Sequence, residues 1–564
     1  MKLLPIGRSN FKEIIEENFY YIDKSLLIDE ITNTSGKVIL ITRPRRFGKT
    51  LNLSMLKYFY EISESNNQHL FYDTAIWQYE RYRELQGIFP LIFITFKDIK
   101  SQTWQQAYDD IIVLIIEEFK RHAEFLLSKL STYDHADYES ILYRTASEAD
   151  YSSSLLFLSR LLTTYHGQKV VILIDEYDTL IHAAYANGYY KELVNFMQKV
   201  LSKALKDNDF LERGVLTGIL RTAKEGIFSG LNHLDVFTIL HEKFSDKFGF
   251  VAPEVDQMLI DYGIEHDGEA VKSWYNSYTC GKVALYNPWS ILQCVQNKGL
   301  LKAYWSNTSD NYLIKKLIAG SSSDMKTELE SLLTGTSIKK QVEERLVFPT
   351  LEQSSHALWS LLLWAGYLTY TSHEVDKESR DICTLILPNK EIKILYQKQI
   401  EEIFEQSLSV IKIHALFEAL IDGNVPRITE FLQDFVISSM SVFDIPDTEP
   451  EKSYHLFVLG LLVTLRESYE IKSNRESGYG RYDIMLIPKD ITKPGYIIEF
   501  KKVSTYTKET LEEAAKKALM QIEEKQYVQE LQDRGIYKTI ALGIAFKGKQ
   551  IMVLSDLVVT ASPQ

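Results

Sequence analysis

Short apolar runs alternate with longer stretches of helical spacing through the first 240 residues. Val38-Ile-Leu-Ile41, Pro90-Leu-Ile-Phe-Ile-Thr-Phe96, Val170-Val-Ile-Leu-Ile174 and Gly214-Val-Leu-Thr-Gly-Ile-Leu220 have the length and β-branched content of buried strands. Between them, Phe11 to Ile31, Leu51 to Phe59 and about Trp104 to Leu162 place apolar residues at helical intervals. Four such strands separated by helices predict an α/β domain with a mostly parallel sheet. From about 241 to 445 the pattern turns mainly helical, with an occasional short strand such as Cys383-Thr-Leu-Ile-Leu387. The acidic, Pro-containing stretch Phe443 to Pro450 then reads as a linker. Beyond it come a helix-like run (Tyr454 to Glu467), a strand (Tyr469 to Ser473) and a polar turn (Asn474 to Gly480). Two strands (Arg481 to Ile487, Tyr496 to Lys501), a long helix (about Lys508 to Leu531) and two strands (Thr539 to Ala545, Gln550 to Leu554) complete the chain. Three regions are therefore expected: 1–240, 241–445 and 446–564.

The first strand runs into Arg43-Pro-Arg-Arg-Phe-Gly-Lys-Thr50 and then into a helix. Strand, tight loop and helix are the setting in which backbone N–H groups and the helix dipole hold a phosphate. Lys49 is expected to reach the β- and γ-phosphates and Thr50 to ligate Mg²⁺, with Arg43, Arg46 and Gly48 completing the ATP-binding loop. Arg43 stands where the usual first glycine would be, and a basic surface turn is the competing reading. The third strand ends in Asp175-Glu176, carboxylates delivered to the edge where open α/β sheets bind ligands. Asp175 is expected to hold Mg²⁺ through water and Glu176 to polarise the attacking water. Thr217 is a candidate γ-phosphate sensor. Arg221 is a candidate stabiliser of transition-state charge, acting in cis or across a subunit interface.

Thr42 to Thr50, Leu173-Ile-Asp-Glu-Tyr-Asp178 and Gly226-Ile-Phe-Ser-Gly-Leu-Asn232 resemble the bacterial AAA-ATPase-like family, as does Asp23-Lys24. The resemblance implies Arg at the first loop position and a C-terminal PD-(D/E)XK nuclease domain, and its pattern runs through nearly the whole chain. Phe248-Gly-Phe250, Trp274-Tyr-Asn-Ser-Tyr278, Tyr286-Asn-Pro-Trp-Ser290 and Tyr304-Trp-Ser-Asn-Thr-Ser309 look like that family's connecting region, with Ser277 where Gly is usual. Such aromatic and Asn clusters form turns and packed interfaces more readily than base-stacking platforms. A helical lid or winged-helix-like unit relaying nucleotide state is expected here.

The last 119 residues follow the element order of a restriction-endonuclease-like core. Asp483 lies on one strand; Glu499 and Lys501 lie two apart on the next and share a face. Two carboxylates on adjacent strands can hold Mg²⁺, a hard ion that prefers oxygen, while Lys501 assists the nucleophile or pairs with the phosphate. Strand-borne Glu-x-Lys alone is common as a solvated face. The resemblance further places Gln521 and Tyr527 near the site and allows His455 a metal-ligand role, although a lone His on such a helix more often packs.

The charge balance sharpens the partner question. Net charge is −13, yet from Glu451 onward 17 basic residues face 15 acidic ones, so the C-terminal region is the better face for a phosphate backbone. DNA is placed ahead of RNA as the substrate. Three widely spaced cysteines suggest reduced thiols in a cytoplasmic protein. The N-terminus lacks a signal-like apolar stretch, and Ala357 to Gly366 is too short to span a bilayer. The leading expectation is an ATP-regulated, Mg²⁺-dependent nuclease, with a homo-oligomer as one way to complete the ATP site. Defence against foreign nucleic acid or processing of mobile DNA would suit it by analogy. The alternatives are a nucleotide-dependent switch whose nuclease-like domain only docks a partner, and a protein whose sole activity is ATP hydrolysis. Converging carboxylates at Asp483 and Glu499 favour the enzyme; splayed or salt-bridged ones favour the switch.

Overall fold

The computed structural model describes residues 1–206, 208–221, 227–228, 234–264, 268–305, 323–345, 354–407, 410–442, 460, 465, 467–477, 480–503, 509–547 and 550–559. The linker Phe443 to Pro450, His455, most of the Tyr454 to Glu467 run and most of the Gly226 to Asn232 motif lie outside the described residues. The chain is α/β and divides into two compact units, Met1–Thr308 with Ser337–Ile392, and Ser309–Thr336 with Lys393–Gln564.

In the first unit, β1 (Val38–Thr42), β2 (Leu91–Thr95), β3 (Val170–Asp175), β4 (Leu211–Gly218) and β5 (Leu234–Phe237) form one sheet in the order β2-β3-β4-β1-β5. Every neighbouring pair is parallel, as apolar strands linked by helices require. β1 and β3 are buried throughout, so their C-terminal ends are fixed in place by packing on both faces. β2 is an edge strand, and the helix Trp104–Leu126 occupies its open backbone groups. Glu118 accepts from Phe93 N–H at 2.9 Å, and Arg121 donates to the Leu91 carbonyl at 2.6 Å.

The expected boundary at 240 does not separate compact units. Phe248, Tyr278 and Leu285 pack beside the loop that follows β1, so residues 241–308 fold with it. This helical middle also contains a β6–β7 hairpin (Tyr278–Cys280, Val283–Leu285) and a three-stranded sheet ordered β8-β10-β9 (Ile338–Val342, Thr369–Val375, Asp381–Ile386 for β8, β9 and β10). Ser277 adopts φ +72°, a left-handed conformation that glycine would enter at less cost.

In the second unit, β11 (Tyr469–Ser477), β12 (Gly480–Pro488), β13 (Gly495–Lys502), β14 (Lys538–Lys547) and β15 (Gln550–Val559) form a mixed sheet in sequential order. Only β13 and β14 run parallel, and the helix Leu511–Glu524 makes their crossover. Thr510 and Glu513 cap that helix reciprocally. It then lies on a row of small residues, Ala541, Gly543 and Ala545. A Cβ at Gly543 would overlap the Ala515 carbonyl and come within 3.0 Å of Leu519 N, so glycine sets how closely helix and sheet approach. The expected polar turn at Asn474 to Gly480 is strand as far as Ser477, which pairs with Gly480. The expected single helix to Leu531 breaks near Gln526 (φ +54°) and resumes at Val528–Gln532.

Candidate active sites

β1 delivers the chain to residues 43–48, where Arg46 (φ +68°) and Gly48 (φ +80°) turn through the left-handed region before the helix Lys49–Tyr60. No side chain caps that helix, so its first N–H groups remain for an anion or water. Lys49 is buried and its ammonium donates across the loop to the carbonyls of Arg43 (3.1 Å) and Pro44 (2.9 Å). Burial pushes its pKa down, while Glu176, Asp178 and Asp175 pull it back up.

Thr95, Asp175 and Thr217 stand side by side at the ends of β2, β3 and β4. Thr217 Oγ1 donates to Asp175 Oδ1 at 2.7 Å, Thr95 Oγ1 donates to Oδ2 at 3.4 Å, and the Thr50 hydroxyl also bonds this carboxylate. Burial pushes the Asp175 pKa up, and the hydroxyl donors oppose that. Thr217, expected to sense a phosphate, thus holds Asp175. Glu176 follows with φ +51°, a conformation costing roughly 1 kcal/mol or more outside glycine. It is half-buried, faces Lys49 and Arg46 electrostatically, and accepts weakly from Thr179 Oγ1 at 3.4 Å.

Two expected ligands have other partners. The Arg43 guanidinium donates to the carbonyls of Thr42 (2.7 Å), Phe237 (3.1 Å) and Phe244 (2.9 Å), and its backbone N–H donates to Gly218 O. Its side chain braces β1 against β5 and the segment beyond. Arg221 pairs with Glu344 at 3.2 Å. Arg46 remains exposed, 4.5 Å from the centre of the Trp289 ring.

Sequence reasoning passed over Asp178. Its buried carboxylate accepts from the N–H groups of Ile219 (2.7 Å) and Leu220 (2.9 Å), tying the end of β3 to that of β4. Gly218 permits this approach, since a Cβ there would stand 2.7 Å from Tyr177 and 2.8 Å from Asp178.

In the second unit the β12–β13 ladder pairs Ile484 with Ile498, and one more step of that register sets Asp483 opposite Glu499. There the ladder ends, and Asp483 Oδ2 accepts from Phe500 N–H at 2.8 Å. Glu499 Oε1 accepts from Gln521 Nε2 and lies 3.5 Å from Lys501 Nζ; Lys501 in turn donates to Gln521 Oε1 at 2.5 Å. Glu499 Oε2 is buried without a hydrogen-bond partner. Burial, then the neighbouring Asp483 charge, raises the Glu499 pKa to about 7. Asp483, Glu499, Lys501 and Gln521 are therefore brought together, with a salt-bridge contact inside the group. Tyr527 is instead buried in the core with Met485, Ile497 and Leu531. Among the described residues no group of three His, Cys, Asp or Glu side chains is placed to hold a metal ion, and Asp483 and Glu499 are the two carboxylates brought together here.

Residues 5–228 match the family model for a predicted AAA-ATPase, and residues 449–556 match that of the PD-(D/E)XK nuclease superfamily. The chain carries an AAA-ATPase-like domain followed by a PD-(D/E)XK nuclease-superfamily domain. An "Uncharacterized protein in vnfD 5'region" of Azotobacter chroococcum mcd 1 is 24% identical over 551 residues, covering 95% of this chain and 94% of that protein. The likeness therefore runs through both domains and the region between them. Several side chains that shape the AAA-ATPase-like loop come from beyond its matched stretch: Phe248, Asn287 and Trp289 all touch residues 43–46. The PD-(D/E)XK domain keeps its four clustered residues within its own match. Among the described residues, no helix is long and apolar enough to cross a membrane, and all three cysteines are free and buried.

Proposed function

We propose that this protein binds and hydrolyses ATP in its AAA-ATPase-like domain and thereby licenses Mg²⁺-dependent cleavage of nucleic acid, DNA ahead of RNA, by its PD-(D/E)XK domain in the cytoplasm. The observation that carries the nuclease reading is the partnerless Oε2 of Glu499, buried opposite Asp483. A buried carboxylate oxygen without a donor is costly unless a cation or a proton satisfies it. Two carboxylates suit a hard ion, and the Phe500 carbonyl could add an oxygen. Bound there, Mg²⁺ would supply Lewis acidity toward a phosphate oxygen and a more acidic water.

The chain's own groups have distinct tasks in this reading. Gln521 fixes Glu499 through Oε1 and leaves Oε2 for the metal, and its carbonyl aims the Lys501 ammonium. Lys501, about a third exposed, pairs with the scissile phosphate or takes part in the proton transfer at the nucleophile. In the first domain, Lys49 counters phosphate charge, Asp175 and Thr50 hold the Mg²⁺ of the nucleotide, and Glu176 accepts a proton from the attacking water. Arg221 would have to leave Glu344 to reach a nucleotide in its own subunit or in a second copy. The Lys501–Glu499 contact favours one rival, a nucleotide switch with a non-catalytic nuclease fold. Incubating the protein with labelled DNA and RNA and Mg²⁺ or Mn²⁺ decides between them. Cleavage abolished by Asp483→Ala supports the enzyme; ATP turnover with no cleavage of any substrate supports the switch.

A further inference from the structure

The Asn287-Pro-Trp-Ser290 turn lies against the phosphate loop although it comes some 240 residues later in the chain. Asn287 Nδ2 donates to the Arg45 carbonyl at 3.5 Å, and the Arg46 guanidinium stands over the Trp289 ring. Asn287 also caps the helix Pro288–Gln296, accepting from Ser290 N–H at 3.3 Å. On that same helical turn the Ser290 hydroxyl donates to Glu391 Oε2 at 2.7 Å, while Trp305 N–H donates to Oε1 at 2.7 Å. Glu391 is fully buried, and among the described residues no Lys or Arg pairs with it. It sits in the first turn of the helix Lys390–Ser407. Asn389 caps this turn, accepting from Ile392 N–H at 3.1 Å and donating to the Asn276 carbonyl at 2.9 Å. The helix starts in the first unit and counts with the second from Lys393 onward.

The Arg46 guanidinium stands over the Trp289 ring, within the electrostatic reach of the Glu176 carboxylate. A triphosphate on the loop would offer it charge-assisted, bidentate contacts stronger than a cation–π contact at a half-exposed ring. Trp289 would lose its cation, and Asn287, Trp289 and Ser290 share one turn, so a shift of the indole bears on the Ser290–Glu391 bond. We infer that Trp289 is a nucleotide-sensing positioning residue. It holds Arg46, and through Ser290 and Glu391 it passes a change at the loop to the first turn of the helix Lys390–Ser407. The inference rests on the ATP-binding reading above and needs no nuclease activity.

The test is hydrogen–deuterium exchange over residues 390–407 of the full-length protein with and without a non-hydrolysable ATP analogue, with binding of the analogue measured separately by calorimetry. Wild type should bind the analogue and change its exchange rates there about fivefold or more. Trp289→Leu should lose that response while binding within about fivefold of wild type, the ratio a surface cation–π contact represents. Trp289→Phe, which keeps a ring, should recover it. Glu391→Gln should also blunt the response, and it carries the test if Trp289→Leu does not fold. Binding by wild type with no change over 390–407, or an undiminished response in both Trp289→Leu and Glu391→Gln, overturns the inference and leaves the ATP-binding reading standing. Failure of wild type to bind the analogue overturns both.

Discussion

Protonation of Glu499 should govern metal binding in the nuclease-superfamily domain. Its carboxyl is 3% exposed and titrates near 7 against an ordinary value of 4.5, because burial and then the Asp483 charge disfavour its anion. A metal ligand must be deprotonated. With a pKa near 7 the ionised fraction falls about tenfold between pH 8 and pH 6, so the Kd for Mn²⁺ should weaken about tenfold over that range. An unshifted glutamate would contribute almost no change there. The metal-free protein should show the opposite dependence in its stability. Between the unfolded value and about 7, the folded state holds the proton and the unfolded state does not. The stabilisation is therefore present below pH 4.5 and is lost as pH rises through 7, amounting to at most about 3 kcal/mol. Calorimetric Mn²⁺ titrations at pH 6, 7 and 8, with denaturant melts of metal-free wild type and Glu499→Gln, measure both. A Kd independent of pH, or a wild-type stability profile that Glu499→Gln leaves unchanged, would refute the argument.

Other consequences are more local. Ser277→Gly should relieve the left-handed backbone at φ +72° and, after glycine's entropy cost, stabilise the first unit by about 0.5–1 kcal/mol, read as a rise in Tm. Gly543→Ala should destabilise the second unit by about 2–3 kcal/mol in urea melts, because the new methyl overlaps the Ala515 carbonyl. Glu176→Gln should keep ATP binding but lower hydrolysis about 10²–10⁴-fold in a phosphate-release assay; turnover within a few-fold of wild type would remove Glu176 from the proton transfer.

How far the chain could be read beforehand depended on where each residue's partners lie. Buried strands announce themselves as apolar runs, so β1 to β4 and β12 to β14 were visible along with the carboxylates at their ends. β5 was missed: Leu-Asp-Val-Phe is four residues long, half-buried, and broken by Asp235. The end of β11 looked like a turn because an edge strand carries polar residues. Arg43 shows what sequence hides. Its place in the motif suggested a phosphate, but its carbonyl partners Phe237 and Phe244 stand about 200 residues away, where no local pattern points. The same distance concealed Asn287 and Trp289 as neighbours of the loop. Asp178 lay in plain view beside Asp175, and its bonds to backbone N–H groups needed the fold to appear.

The central claim is that nucleotide in the first domain controls phosphodiester cleavage in the last. Its most direct measurement is the initial rate of cleavage of labelled DNA and RNA with Mg²⁺, with and without ATP, by wild type and Lys49→Ala. The account predicts cleavage that responds to ATP in wild type and loses that response in Lys49→Ala. Cleavage indifferent to ATP and to Lys49, or none on any substrate while ATP is turned over, would contradict it.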